Sequence, residues 1–96
     1  MKLLFLIHSG PSPAAVTALL EANGAPGYTI LDDVTGSGPS GKLAGTRAFP
    51  GTATILLSVL PEERLEPVRA ALRAYRDQLP AGEHLHVATV PIEDYF

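Results

Sequence analysis

The chain states one order twice: a strand-length apolar run, a helical pattern, then a second strand. A single glycine-rich stretch separates the two statements. "KLLFLIH" (2–8) is a near-continuous apolar run bounded by "SGPSP", which reads as a buried first strand. Ser12 and Pro13 form a helix start, with a hydroxyl to cap free N–H groups and a ring suited to the first helical position. Ala15, Val16, Leu19 and Leu20 then fall on one face, and Asn23-Gly24 supplies a left-handed stop. "GYTILDDV" (27–34) has strand character. After the glycine-rich segment, "TATILLSVL" (52–60) is the next strand, closed by Pro61. Leu65, Val68, Leu72 and Tyr75 have helical spacing, and Pro67 inside that stretch predicts an initial turn over 61–66 with regular helix from Pro67. "PAG" (80–82) ends it, and "HLHVATVPI" (84–92) is the last strand.

That order, β-α-β-loop-β-α-β, predicts an α+β, ferredoxin-like βαββαβ sandwich: a four-stranded antiparallel sheet with two helices on one face. Ninety-six residues make one domain, spanning 1–96. Ile55, Leu57 and Val59 alternate with Leu56, Ser58 and Leu60, so both faces of the third strand carry apolar atoms. One sheet face has no helix within the chain to cover it, and an open apolar face calls for a partner.

Charge narrows the partners. The net charge is -3 and the seven basic residues are scattered, so nucleic acid is not expected, because binding it needs a basic stripe. No cysteine is present, which removes disulfides, thiol catalysis and thiolate-bound metal. The opening apolar run is too short to span a membrane and lacks an export layout, so no stable membrane insertion and a cytoplasmic location are expected.

The glycine-rich segment, about 35 to 52, holds five glycines and two prolines. Gly36, Gly41 and Lys42 match all but the last letter of a G-x-x-x-x-G-K-[ST] phosphate loop. The hydroxyl that would hold magnesium is replaced by Leu43, and Gly45 and Pro50 break the helix that must follow. A nucleotide hydrolase is therefore not expected. A loop of this length in a small domain is more in keeping with a binding loop than with a plain connector. Lys42 and Arg47 are its only charges.

The arrangement resembles the P-II signalling family and its wider PII-like superfamily over nearly the whole chain. "GYTILDDVTGSG" (27–38), "LLSVLPEERLEPV" (56–68) and "AGEHLHV" (81–87) carry the resemblance. Gly27, Thr29, Gly36 and Gly38 match a strand that leads to Gly-x-Gly, with one extra residue in "DD". Val59, Leu60, Pro61, Glu62 and Glu63 match the family's third strand end. The resemblance implies a PII-like homotrimer whose open sheet faces line a common interior. It implies small-ligand binding in clefts between subunits, and signalling to an effector protein through a flexible T-loop at 35–52. Thr29, Gly36, Ser37, Gly38, Lys42 and Arg47 would form one side of the cleft, and Gly82, Glu83 and His84 of a neighbour the other.

Departures from the family bear on the ligand. Pro39 stands where an arginine usually follows Gly-x-Gly, Ala53 and Ile55 stand where a lysine is usual, and His84 is the residue nearest the lysine before the last strand. The tail "VPIEDYF" supplies no arginine, and the modifiable loop tyrosine is absent. With four cations missing, a triphosphate is poorly compensated. The expected ligand is an adenine nucleotide, ADP or AMP rather than ATP, or a small anion such as bicarbonate.

Two other readings compete. His84 and His86 are two apart in a strand and share a face, which would let both reach one metal ion, as in a CutA-like metal-binding protein. A ligand-free interaction module is the other. His8 is expected to be structural, and the pairs Asp32-Asp33 and Glu93-Asp94 to be solvated strand ends. Arg64, Arg69, Arg73 and Arg76 read as one charged outer helix face. No nucleophile sits with these groups, and the phosphate-cradle arginine of acylphosphatases is missing from "HSGPSP", so an enzyme is not expected.

Overall fold

A computed structural model describes residues 1–10, 13–38, 41–42 and 53–96. The elements run β1 (Lys2–Ser9), α1 (Ala14–Ala22), β2 (Thr29–Val34), β3 (Ser37–Gly38), β4 (Gly41–Lys42), β5 (Ala53–Leu60), α2 (Glu62–Asp77) and β6 (His84–Pro91). Four of the strands form one antiparallel sheet in the order β2-β5-β1-β6. This is the ferredoxin-like topology that the order of apolar runs predicts. The opening apolar run is the central strand β1, hydrogen-bonded on both sides.

Alternation along the strands separates two faces. On one, Leu4 and Leu6 of β1, Leu56 and Leu60 of β5 and Leu85 of β6 pack against Val16 and Leu20 of α1 and Leu65, Val68 and Leu72 of α2, all buried. Tyr75 and Leu79 close the end of this core partly buried. His8 and Ser58 are the buried polar residues on that face, and the Ser58 hydroxyl donates a 2.6 Å hydrogen bond to the carbonyl of Gly27. On the other face, Leu3, Phe5 and Ile7 lie beside Val59, Leu57 and Ile55, and beside Val90, Ala88 and His86. No described element of the chain covers these side chains; the β1 and β5 members are half-buried and Val90 is exposed. The open apolar face is real.

Three local details differ from the expectations. Pro67 lies inside a continuous α2 that begins at Glu62, with Pro61 as N-cap. Only one turn precedes it, and Arg64 already makes a tighter 3.0 Å bond back to the Pro61 carbonyl, so the ring costs one regular bond near the end and not a break in mid-helix. In α1 Pro13 occupies the N-cap position, one residue earlier than expected, and its carbonyl accepts from the amide of Thr17 at 3.0 Å. Ser12, the expected cap, lies outside the described residues. Ala15 is exposed, while Val16 and Leu20 are buried and Leu19 half-buried. At the helix end Gly24 takes the expected left-handed conformation (φ 85°).

β2 begins at Thr29, two residues later than the apolar pattern, with Tyr28 bonded to Glu21 of α1 at 3.0 Å. Its ladder to β5 slips by one: Leu31 faces Ile55, but Val34 faces Ala53. Asp33 sits at this bulge with φ 58°, the left-handed region that few side chains adopt.

Candidate functional site

The register gathers four strand termini at one end of the sheet. Val34 at the end of β2 pairs with Ala53 at the start of β5, and Ser9 at the end of β1 pairs with His84 at the start of β6. The segment entering the glycine-rich loop and the segment 82–84 therefore lie at the same end. They occupy opposite edges, because β5 and β1 intervene. Three strand spacings of about 4.8 Å put some 14 Å between them.

Gly36 is exposed just past β2. Ser37 and Gly38 pair with Lys42 and Gly41 in a two-stranded ribbon, β3–β4. Lys42 thus belongs to a strand, the opposite of the helix-opening lysine of a hydrolase phosphate loop. Arg47 lies outside the described residues, as do most of the positions expected to be mobile without ligand. Thr29 opens β2 opposite Leu57, five residues or roughly 17 Å along the strand from Val34. Gly82 turns the chain into β6 with φ 89°, and the amide of Glu83 bonds the carbonyl of Pro80 at 3.1 Å. Within one chain Gly36–Gly38 and Gly82–His84 are thus at one level but apart.

His84 and His86 stack as parallel rings, with centroids 6.4 Å apart and planes within 6°. They share a strand face as expected. Among the described residues no group of three histidine, cysteine, aspartate or glutamate side chains gathers to hold a metal ion, and two ligands from one strand leave a tetrahedral set incomplete.

Two features escaped the sequence. His8, at the same sheet end, is 1% exposed, and neither ring nitrogen has a partner among the described residues. Burial lowers its pKa below the ordinary value, and the Glu83 carboxylate partly opposes that. Its place in the alternation with Leu4 and Leu6 was the available signal. The second concerns the helix arginines. Arg69, Arg73 and Arg76 line an open groove against Val87 and Thr89 of β6, while Arg64 lies over Gly24, within 3.3 Å of the place a Cβ would take. Arg64 is five residues before Arg69, about 140° around the helix, so it points elsewhere.

A four-stranded antiparallel sheet in this order with two helices on one face is a ferredoxin-like fold, here with a long glycine-rich segment between β2 and β5. The chain shares the fold of PII-like proteins. It is similar to CPII, a nitrogen regulatory PII-like protein from Thiomonas intermedia K12, in a structure bound to ADP, AMP and bicarbonate, with 24% identity over 93% of this chain and 86% of that chain and a TM-score of 0.69. The ADP- and bicarbonate-bound structure of the same protein matches at 27% identity over 93% and 86% of the two chains, with a TM-score of 0.64. A PII-like signalling protein from Thermus thermophilus shares the fold at 16% identity over 92% and 82%, with a TM-score of 0.59. No family model and no curated protein matches the chain. No described helix is long and apolar enough to cross a membrane.

Proposed function

We infer that this chain is a non-enzymatic, small-ligand-binding signalling protein that works as a homotrimer. The observation that carries the reading is the placement of Gly36–Gly38 and Gly82–His84 at one end of the sheet on opposite edges. Segments so placed meet only across two copies, and the uncovered apolar face supplies the surface for that association. Turn amides at Gly36–Gly38 and Gly82–His84 suit an anionic group. Ser37, Lys42, Arg47 and Glu83 complete the proposed site at this end, with Thr29 at the far end of β2, and residues 35–52 carry the ligand state to an effector protein.

The scarcity of cations favours ADP, AMP or a small anion such as bicarbonate over ATP. CPII, bound to ADP, AMP and bicarbonate in its structure, supports that choice. Calorimetry against ATP, ADP, AMP and bicarbonate tests it. Binding of ADP, AMP or bicarbonate with ATP weaker by tenfold or more is expected; ATP binding as tight as ADP overturns the choice of ligand. Silence toward all four overturns the ligand-binding reading itself.

A further inference from the structure

His8 is a titratable group sealed behind the segment that forms one side of the proposed site. Its ring is buried, and neither nitrogen has a hydrogen-bond partner among the described residues. Glu83 reaches toward it over the bare α-carbon of Gly10. A methyl group there would lie 2.9 Å from Glu83 Oε1 and 3.4 Å from His8 Nε2. Carboxylate and ring nitrogen are therefore no more than about 6 Å apart, within the range at which an opposite charge acts. Glu83 is half-buried and has no ion-pair partner among the described residues. On its other side it borders a hollow of about 370 Å³ that Arg76, His84 and His86 also line. Other elements offer the ring little charge. Leu85 stands opposite His8 on β6 and Thr54 on β5, and the Thr54 hydroxyl lies 3.5 Å from the Asp32 carboxylate of β2 and makes no bond to the ring. α1 has no acidic residue in its first turn, and its one carboxylate, Glu21, is bonded by Tyr28. The end of α2 brings Arg76 and Asp77, which lie 3.5 Å from each other. Glu83 is the charge that acts on His8.

We propose, on the reading of Gly82–His84 as one side of an anion-binding cleft, that His8 is a proton-operated positioning residue for that cleft. On taking up a proton it draws the Glu83 carboxylate inward over Gly10 and cancels the negative charge of the 82–84 segment. With His8 neutral, nothing on the inner side holds Glu83, and its charge opposes any phosphate or carboxylate brought to the amides of that segment. Protonation makes both ring nitrogens donors. A carboxylate bonded to the imidazolium away from water is a strong, charge-assisted contact, and it also gives a partner to a ring that otherwise has none. Gly10 is what keeps the path clear, since any side chain there would stand between the two groups. Burial favours the neutral ring and Glu83 favours the charged one, so the two states are set against each other by groups already in place. Anion affinity therefore rises as pH falls below the ordinary histidine value of 6.5. Because linkage is reciprocal, a bound anion raises the His8 pKa and moves the switch toward neutral pH. All of these contacts lie within one chain, on the helix side of the sheet with Leu4 and Leu6, so association through the opposite, apolar face leaves them intact.

The test uses the full chain, first without ligand and then with ADP as the probe. In NMR titrations of the free protein, the Cε1–H resonance of His8 and the side-chain carboxyl carbon of Glu83 should share one step, with its midpoint below 6.5. His8→Leu identifies the histidine signal by its loss and should remove the shared step from Glu83. Glu83→Gln should lower the His8 midpoint further. Saturating ADP should raise that midpoint in the wild type. By calorimetry, ADP affinity should gain about threefold or more between pH 7.5 and 5.5 in the wild type beyond any gain in His8→Leu, which shares the nucleotide's own titration. A Glu83 carboxyl carbon that ignores the His8 step overturns the proposal. So does ADP binding with the same pH profile in the wild type and His8→Leu, or, should that variant fail to fold, a wild-type His8 midpoint that bound ADP leaves in place. Silence toward ADP at every pH, with the shared step intact, overturns the choice of ligand while the coupling of His8 to Glu83 stands.

Discussion

The carboxylate of Glu83 reaches across the bare α-carbon of Gly10: a methyl group placed there would stand 2.9 Å from Glu83 Oε1 and 3.0 Å from Cε1 of His8. Gly10 is thus held by close approach. The Glu83 carboxylate can swing aside, but the buried His8 ring has nowhere to go. Gly10→Ala is expected to cost about 1–2 kcal/mol of stability, measured by urea denaturation. The double variant Gly10→Ala/Glu83→Ala should recover part of that cost, with a coupling above roughly 0.5 kcal/mol.

The same corner makes stability depend on pH. Burial lowers the His8 pKa in the folded chain from the ordinary 6.5, so between the two pKa values the unfolded chain binds more protons. Stability then rises with pH through this window: the contribution is present above about 6.5 and is lost as pH falls toward the lowered folded value. His8→Leu, which removes the titrating group, should flatten the slope of denaturation free energy between pH 7.5 and 5. Glu83→Gln, which removes the opposing carboxylate, should steepen it. An unchanged slope in His8→Leu would show that other groups set the dependence.

Ser58 ties β5 to the chain entering β2 through its bond to the Gly27 carbonyl. Ser58→Ala leaves that carbonyl without its donor and should cost about 1–2 kcal/mol. Ser58→Thr keeps a hydroxyl but adds a methyl on the helix side, where it meets a packed core, and should not restore full stability.

On the opposite face, Leu57 sits between Phe5 and Thr29 with no described cover. Leu57→Glu is expected to reduce the solution mass from three chains of 10.1 kDa each toward one, with secondary structure kept. Light scattering reads this directly. A wild-type chain that runs as a monomer at micromolar concentration would remove the inter-subunit site altogether.

How legible these features were in the sequence varies with the length and regularity of the pattern that carries them. β1 and β5 read clearly as near-continuous apolar runs of strand length, and α2 by its helical spacing over sixteen residues. Pro67 misled, because the helix start is fixed by Pro61 and the first-turn glutamates as well as by the proline ring. The burial of His8 shows in the sequence only as its phase with Leu4 and Leu6, a faint mark in a run where nearly every neighbour is apolar. The arginine groove is also a tertiary fact: helical spacing groups the side chains, but only the edge position of β6 turns three of them into a wall and leaves Arg64 out. The ribbon of Ser37–Gly38 with Gly41–Lys42 pairs two glycines with each other, which leaves no side-chain alternation to read.

The pair Asp32-Asp33 contains one residue more than the PII-like strand pattern it resembles, and the ladder of β2 shows where the surplus goes. Thr29 to Leu31 march in step with Leu57 to Ile55, and Val34 rejoins at Ala53 as though nothing had intervened. Asp33, in its left-handed conformation, absorbs the insertion on the spot. Had the strand stayed regular, every later residue would have arrived inverted, with inner side chains turned outward and the glycine segment launched from the wrong side of the sheet. One strained aspartate thus acts as an expansion joint. It lets the edge of the sheet lengthen without altering the phase in which the chain departs.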